Sequence, residues 1–226
     1  MNILSDCATS DPKRKDALTM DYQTTTSRAT LLNDARILVP YLRAQLAALA
    51  PAALAPGAEA ARAAGVLAPL YAVAGRPHLL FTVRSRDLSR HKGEISFPGG
   101  SRDPGDHSLG QTALREAREE IDLDPASVEL LGPLPPVFAA VSNFVITPFV
   151  GWLGEGMPIL TPNPAEVAEV IYAPLAALAE PAIYHNELWQ RFGAAHLIHF
   201  YDFGAHRIWG ATARMLHSLI ELLPPA

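Results

Sequence analysis

The chain is poor in cysteine: Cys7 is the only one in 226 residues. That excludes an internal disulfide and a cysteine-based zinc site. Histidines at HxH or HxxxH spacing are also missing, so zinc is not invoked. There is no run of eighteen apolar residues, and no membrane-crossing helix is expected. Residues 1–28 lack the apolar middle of a signal peptide, and Pro224-Pro225-Ala226 forms no peroxisomal address. A cytoplasmic location is therefore expected. An excess of positive charge is missing too. The net charge of −5 argues against nonspecific binding to nucleic acid or to an anionic membrane.

Apolar residues make up 49% of the chain, and its length suits one domain with a real core. Residues 1–28 are polar and read as a disordered arm, leaving 29–226 as a single domain. Ile37, Leu38, Tyr41, Leu42 and Leu46 recur at helical spacing, with a break or kink expected at Pro40. Val66–Val73 and His78–Arg84 read as a hairpin, and Pro69 places the first strand at an edge or a bulge. Strands are also expected at Val128–Leu131, Val137–Ala140, Phe144–Leu153 and Val167–Tyr172. A final hairpin, Ile183–Trp189 with Leu197–Phe203, precedes a helix over Gly210–Leu223. The fold class is α+β, a mixed sheet between helices.

The most informative stretch is 93–124. Ser108 and Gln111 read as a capping box that opens a helix, and Pro125 is expected to end it. Glu116, Glu119 and Glu120 then share a face, with Arg115 one turn below Glu119. Acids crowd the helix end whose dipole prefers cations, and like charges so close raise one another's pKa. A solvated acidic face reads the same way, but a hard divalent cation would remove the conflict. Before the helix, Phe97-Pro98-Gly99-Gly100 permits a tight turn and a close backbone approach to a ligand. Before that turn, residues 84–92 carry four Lys or Arg against one acid. Arginine is the favoured partner of phosphate because its fork holds two oxygens.

Glycines followed by Arg115-Glu116-x-x-Glu119-Glu120 resemble the Nudix box of hydrolases that cleave nucleoside diphosphate derivatives. The spacing from Gly100 to Arg115 is one residue longer than usual there. Asp106 stands where that box has its early glutamate, and Asp122 where it has a later glycine. The extra residue marks the coenzyme A pyrophosphatase branch. That branch also carries an upstream motif matched here by Leu79-Leu80-Phe81-Thr82-Val83-Arg84-Ser85, then His91, Gly93-Glu94 and Phe97-Pro98-Gly99-Gly100. An arginine expected after Leu88 is Ser89, with Arg90 beside it.

The resemblance implies a Nudix fold and a pyrophosphohydrolase using Mg2+ or Mn2+. Glu116, Glu119, Glu120 and the Gly100 carbonyl are the implied metal ligands. Arg115 is expected to orient Glu119, and Glu120 or Glu166 to deprotonate the water. Arg84, Ser85, Arg90, His91, Gly99 and Gly100 are the expected substrate contacts. The implied substrate is coenzyme A or its thioester, a small-molecule nucleotide, and a homodimer is compatible with this reading. Two rivals stand beside it: a hydrolase of ADP-ribose or NADH, and a non-catalytic nucleotide-binding module.

Overall fold

The computed structural model describes residues 26–50, 58, 60–85, 93–191 and 193–225. Two helices open the described chain, α1 (Arg28–Asn33) and α2 (Ala35–Ala48). The break between them falls at Asp34, not at Pro40. Asp34 adopts an extended backbone and its carboxylate accepts from the Arg36 N–H, which caps α2. Pro40 is accommodated inside α2, whose Leu38, Leu42 and Leu46 are buried.

Among the described residues the main sheet has eight strands. They are β1 (Arg62–Val73), β2 (Arg76–Arg84), β3 (Ile95–Ser96), β4 (Gly99–Ser101), β5 (Glu129–Pro133), β6 (Val137–Ala139), β7 (Phe144–Glu155) and β8 (Val167–Pro174). The sheet is mixed because β1 runs parallel to β7 while its other pairings are antiparallel. β1 lies at the centre, with β7 on one side and β4 then β2 on the other. The expectation of an edge strand is thus corrected. Pro69 is tolerated because it falls where β1 changes partner, after the β4 pairing at Val66 and before the β2 pairing at Leu70. A register shift against β7 follows at once, between Leu70 and Ala72.

Both faces of β1 are covered, so nearly every residue in it is buried. Leu67 and Tyr71 pack with Ala113, Ala117 and Ile121 of α3 (Leu109–Ile121). Val66, Ala68 and Leu70 join the larger core on the opposite face, with Leu38, Leu42, Leu216 and Leu219. That second layer contains α2, a short α4 (Leu175–Leu178) and α5 (Gly210–Glu221). Tyr41 of α2 donates its hydroxyl to the Leu222 carbonyl at 2.7 Å, tying the first helices to the last. A second, three-stranded sheet has the order β11 (His206–Trp209), β10 (Ala194–Phe203), β9 (Tyr184–Arg191). Among the described residues no helix is long and apolar enough to cross a membrane.

Candidate active site

The site lies on the α3 face of the main sheet, where α3 crosses β1 and β4. Ser108 caps α3 by accepting from the Gln111 N–H, while Gln111 reaches back to the N–H of His107, one residue before the cap. The helix ends at Ile121, four residues before Pro125. Asp122 takes a left-handed conformation (φ 56°, ψ 33°), and the N–H of Leu123 returns to the Ala117 carbonyl. That conformation explains why a glycine is the usual residue at this point.

Arg115 is the hub. Its Nε and Nη2 donate to both oxygens of Asp106 at 3.2 and 3.1 Å, and Nη2 also donates to the Ser101 carbonyl at 3.0 Å. Its Nη1 lies 2.8 Å from Glu116 and 3.1 Å from Glu119. Asp106 is buried and also accepts from the Thr112 hydroxyl and the Asp103 N–H. These bonds, led by Arg115, hold its carboxyl far below the usual carboxylate range. Asp106 thus fixes the guanidinium, and the guanidinium fixes two of the three glutamates. Sequence reasoning placed Asp106 at the early-glutamate position without this role. A buried acid nine residues before an arginine leaves no periodic signal.

Glu116 and Glu120 point towards the glycine turn. A Cβ at Gly100 would fall 2.5 Å from the Glu116 Oε2, so only glycine lets the carboxylate approach that backbone. A Cβ at Gly99 would meet the Val66 backbone at a similar distance. Burial raises the Glu116 pKa against the opposing pull of Arg115. Glu120 is 3% exposed, and burial pushes its pKa up to about 8 against the pull of Arg84. The nearby charges of Glu116 and Glu166 push the same way. One oxygen of Glu120, Oε2, is buried with no hydrogen-bond partner. Glu119 turns outward onto Arg115 and is half-exposed.

The loop carrying Glu166 is pinned to the end of α3. The N–H groups of Thr161 and Asn163 donate to the Ile121 and Glu120 carbonyls, satisfying helix-end acceptors. Asn163 then donates its side-chain amide to Glu166 Oε1 at 3.1 Å, and the Ser85 N–H donates to the Glu166 carbonyl at 2.7 Å. β8 begins at Val167, which leaves Glu166 in the loop. Glu169 lies on that strand and meets His206 instead, at 3.5 Å.

Arg84 ends β2 and comes within 3.9 Å of Glu120 Oε1, its Nε buried without a hydrogen-bond partner. The Gly93 N–H donates to the Arg84 carbonyl. Arg90 and His91 fall outside the described residues. An open hollow of about 770 Å³ lies elsewhere, at the far end of β1 beside Val39, Pro40, Trp152 and Glu155. Its two arginines are already paired, Arg36 with Asp34 and Arg43 with Glu129, so we place the chemistry at the acids.

Among the described residues no three His, Cys, Asp or Glu side chains gather into a ready metal cluster. The pair Glu116 and Glu120 nevertheless fits a hard cation. The buried, unpartnered Oε2 of Glu120 lacks a positive partner, and Mg2+ commonly takes one or two carboxylates and keeps its waters.

The NUDIX domain family model matches residues 61–192. The chain is 41% identical over 160 residues to the uncharacterized Nudix hydrolase NudL of Photorhabdus laumondii, covering 71% of this chain and 84% of that one. It is 39% identical over 168 residues to the human mitochondrial coenzyme A diphosphatase NUDT8, covering 72% and 70% respectively. It is 40% identical over 138 residues to the mouse peroxisomal coenzyme A diphosphatase NUDT7, covering 61% of this chain and 58% of that one. The chain therefore belongs to the Nudix hydrolase family, enzymes that cleave diphosphate linkages and generally use divalent metal ions.

Proposed function

We propose that the protein hydrolyses the pyrophosphate of coenzyme A or a coenzyme A thioester, releasing 3′,5′-ADP and 4′-phosphopantetheine or its acyl form. The observation that supports the chemistry is the buried Glu120 carboxylate with one orphaned oxygen, beside Glu116, Gly100 and Arg84. The substrate reading draws on the motif around Arg84 and Phe97-Pro98-Gly99-Gly100 and on the similarity to two coenzyme A diphosphatases.

Glu116 and Glu120 would hold Mg2+ or Mn2+, with the Gly100 carbonyl alongside. When bound, the cation lowers the pKa of water and offsets charge on the phosphoryl oxygens. Arg115, locked by Asp106, keeps Glu116 and Glu119 in place, and Glu119 serves from the rim. The water oxygen adds to one phosphorus and the bridging P–O bond breaks. Its proton passes to a carboxylate, Glu166 or Glu120. A cation on Glu120 would leave Glu166 as the free base, held in place by Asn163 and Ser85. Arg84, next to Glu120, is placed to hold a diphosphate oxygen. Ser85, Arg90 and His91 remain substrate contacts in this reading.

Glu120→Gln keeps the shape and removes the charge. It is expected to lower kcat at least about 100-fold, since a metal ligand of this kind supplies several kcal/mol. Near-normal turnover by this variant, or by EDTA-treated enzyme, removes the metal mechanism.

A further inference from the structure

The family match ends at residue 192, within the three-stranded sheet. In that sheet β9 has one neighbour, β10, among the described residues. No strand among the described residues pairs with its other edge. Proline, a bulge or unpaired charged side chains, lysine above all, usually blunt an edge; the charges on β9 are of both signs, Glu187 and Arg191, and can pair across a joint. β9 reads Tyr-His-Asn-Glu-Leu-Trp-Gln-Arg, has no proline and no lysine, and pairs with β10 without a register shift.

The side chains along this edge are arranged about Trp189. Glu187 lies two residues before it and Arg191 two after. All three occupy one face. The Trp189 Nε1 donates to Glu187 Oε2 at 2.6 Å, and the Arg191 guanidinium lies over the indole, 5.6 Å from its centroid. On the other face Leu188 stands opposite Leu197 of β10. Leu188 is 64% exposed and Leu197 52%. The other strongly exposed apolar side chains, Val141, Met157 and Ile159, lie in connections and not on paired strands.

We infer that β9 is the contact of a two-fold homodimer, in which two copies pair antiparallel along this edge with Trp189 opposite the partner's Trp189. In this register Glu187 faces the partner's Arg191, and Arg191 faces the partner's Glu187. A register shifted by one residue in either direction loses both charge pairs, because Trp189 is the midpoint of 187 and 191. On the opposite face Leu188 lies diagonal to the partner's Leu188, within side-chain reach. Four leucines then form one strip across the joint, covering apolar surface that the single chain leaves open. The patch is self-complementary, as a two-fold contact requires. The two small sheets become one, and the open edge is removed.

Sedimentation of the full chain tests this. The wild type should sediment with twice the 24.3 kDa chain mass at micromolar concentration. Glu187→Arg and Arg191→Glu each replace two attractive pairs by two repulsive ones. Each should raise the dimer dissociation constant about tenfold or more. The double exchange, Glu187→Arg with Arg191→Glu, should restore the wild-type value. Circular dichroism on each variant, diluted to monomer, identifies any that fails to fold. An independent check uses Trp189→Cys in a Cys7→Ser background. Directly opposed strand residues bring their Cα atoms within disulfide reach, so mild oxidation should link the copies. A monomeric wild type overturns the inference. So do folded single reversals that leave the dimer intact, a double exchange that does not restore it, or a Trp189→Cys chain that stays unlinked.

Discussion

Removing the charge of Glu120 should stabilise the metal-free protein, and the gain should grow with pH. Glu120 is 3% exposed, has an unpartnered oxygen, and sits near Glu116 and Glu166. Burial lifts its pKa from 4.5 to about 8. Between those values the unfolded chain releases a proton that the folded chain keeps. Stability therefore falls as pH rises through this window and levels off above it. The span sets a ceiling of about 5 kcal/mol. Relaxation and water entry reduce such penalties, so about 2 to 5 kcal/mol is expected. Glutamine is neutral throughout. In urea denaturation of EDTA-treated protein, the gap between Glu120→Gln and wild type should be small near about pH 5. It should open to the full amount by about pH 8.5, with the variant the more stable. Added Mg2+ should then raise the wild type and leave the variant unmoved, because a ligand stabilises the state that binds it. A gap that does not change with pH, or a variant less stable at every pH, refutes the reasoning.

Three other expectations follow from the same geometry. Arg84→Ala should lower kcat about tenfold or more on both coenzyme A and 3′-dephospho-coenzyme A, because Arg84 lies beside Glu120; a KM loss confined to coenzyme A would place it on the 3′-phosphate instead. Gly100→Ala should displace Glu116, whose Oε2 lies 2.5 Å from the added carbon, and weaken Mg2+ binding about tenfold or more in a titration; unchanged affinity would separate Glu116 from the cation. A chain starting at Thr26 should keep its thermal midpoint, whereas one starting at Ala29 should lose about 1 to 2 kcal/mol in urea denaturation. Ser27 caps α1 and Arg28 donates to the Pro224 carbonyl at 3.0 Å, so equal stability of the two chains would show that neither bond contributes.

These residues also show what the sequence could reveal. Helical spacing points to Leu114, Ala117 and Ile121 as the buried stripe of α3; Ala117 and Ile121 are buried, Leu114 is only partly so, and Ala113 takes the remaining place in the core. The positions of β1, β2 and β5 to β10 followed from apolar runs between turn residues, whereas β4, at Gly99–Ser101, has no apolar run and reads as a turn. The misses have local causes. Asp34 competes for the α2 start with a side-chain bond that pattern alone does not rank above Pro40. Pro69 reads as an edge residue, yet a central strand that changes partner leaves its missing N–H without consequence. The α3 stop depends on Asp122 entering the left-handed region, which aspartate does seldom enough to be passed over for Pro125. β11 is four residues long and gains its place from pairing with β10. In the site, the glutamates were legible because they are close in sequence. The bond Asp106–Arg115 and the approach of Arg84 to Glu120 depend on how distant segments are brought together, and the Asn163–Glu166 bond on the turn of a loop with no periodicity, none of which spacing reveals.

The central claim is the substrate, and one comparison tests it most directly: kcat/KM for coenzyme A against ADP-ribose, with Mg2+ or Mn2+ present and products separated. We expect coenzyme A to be preferred at least about tenfold, with 3′,5′-ADP and 4′-phosphopantetheine as products, the mark of cleavage at the pyrophosphate. Equal or faster cleavage of ADP-ribose, or coenzyme A left intact while ADP-ribose is hydrolysed, contradicts the account.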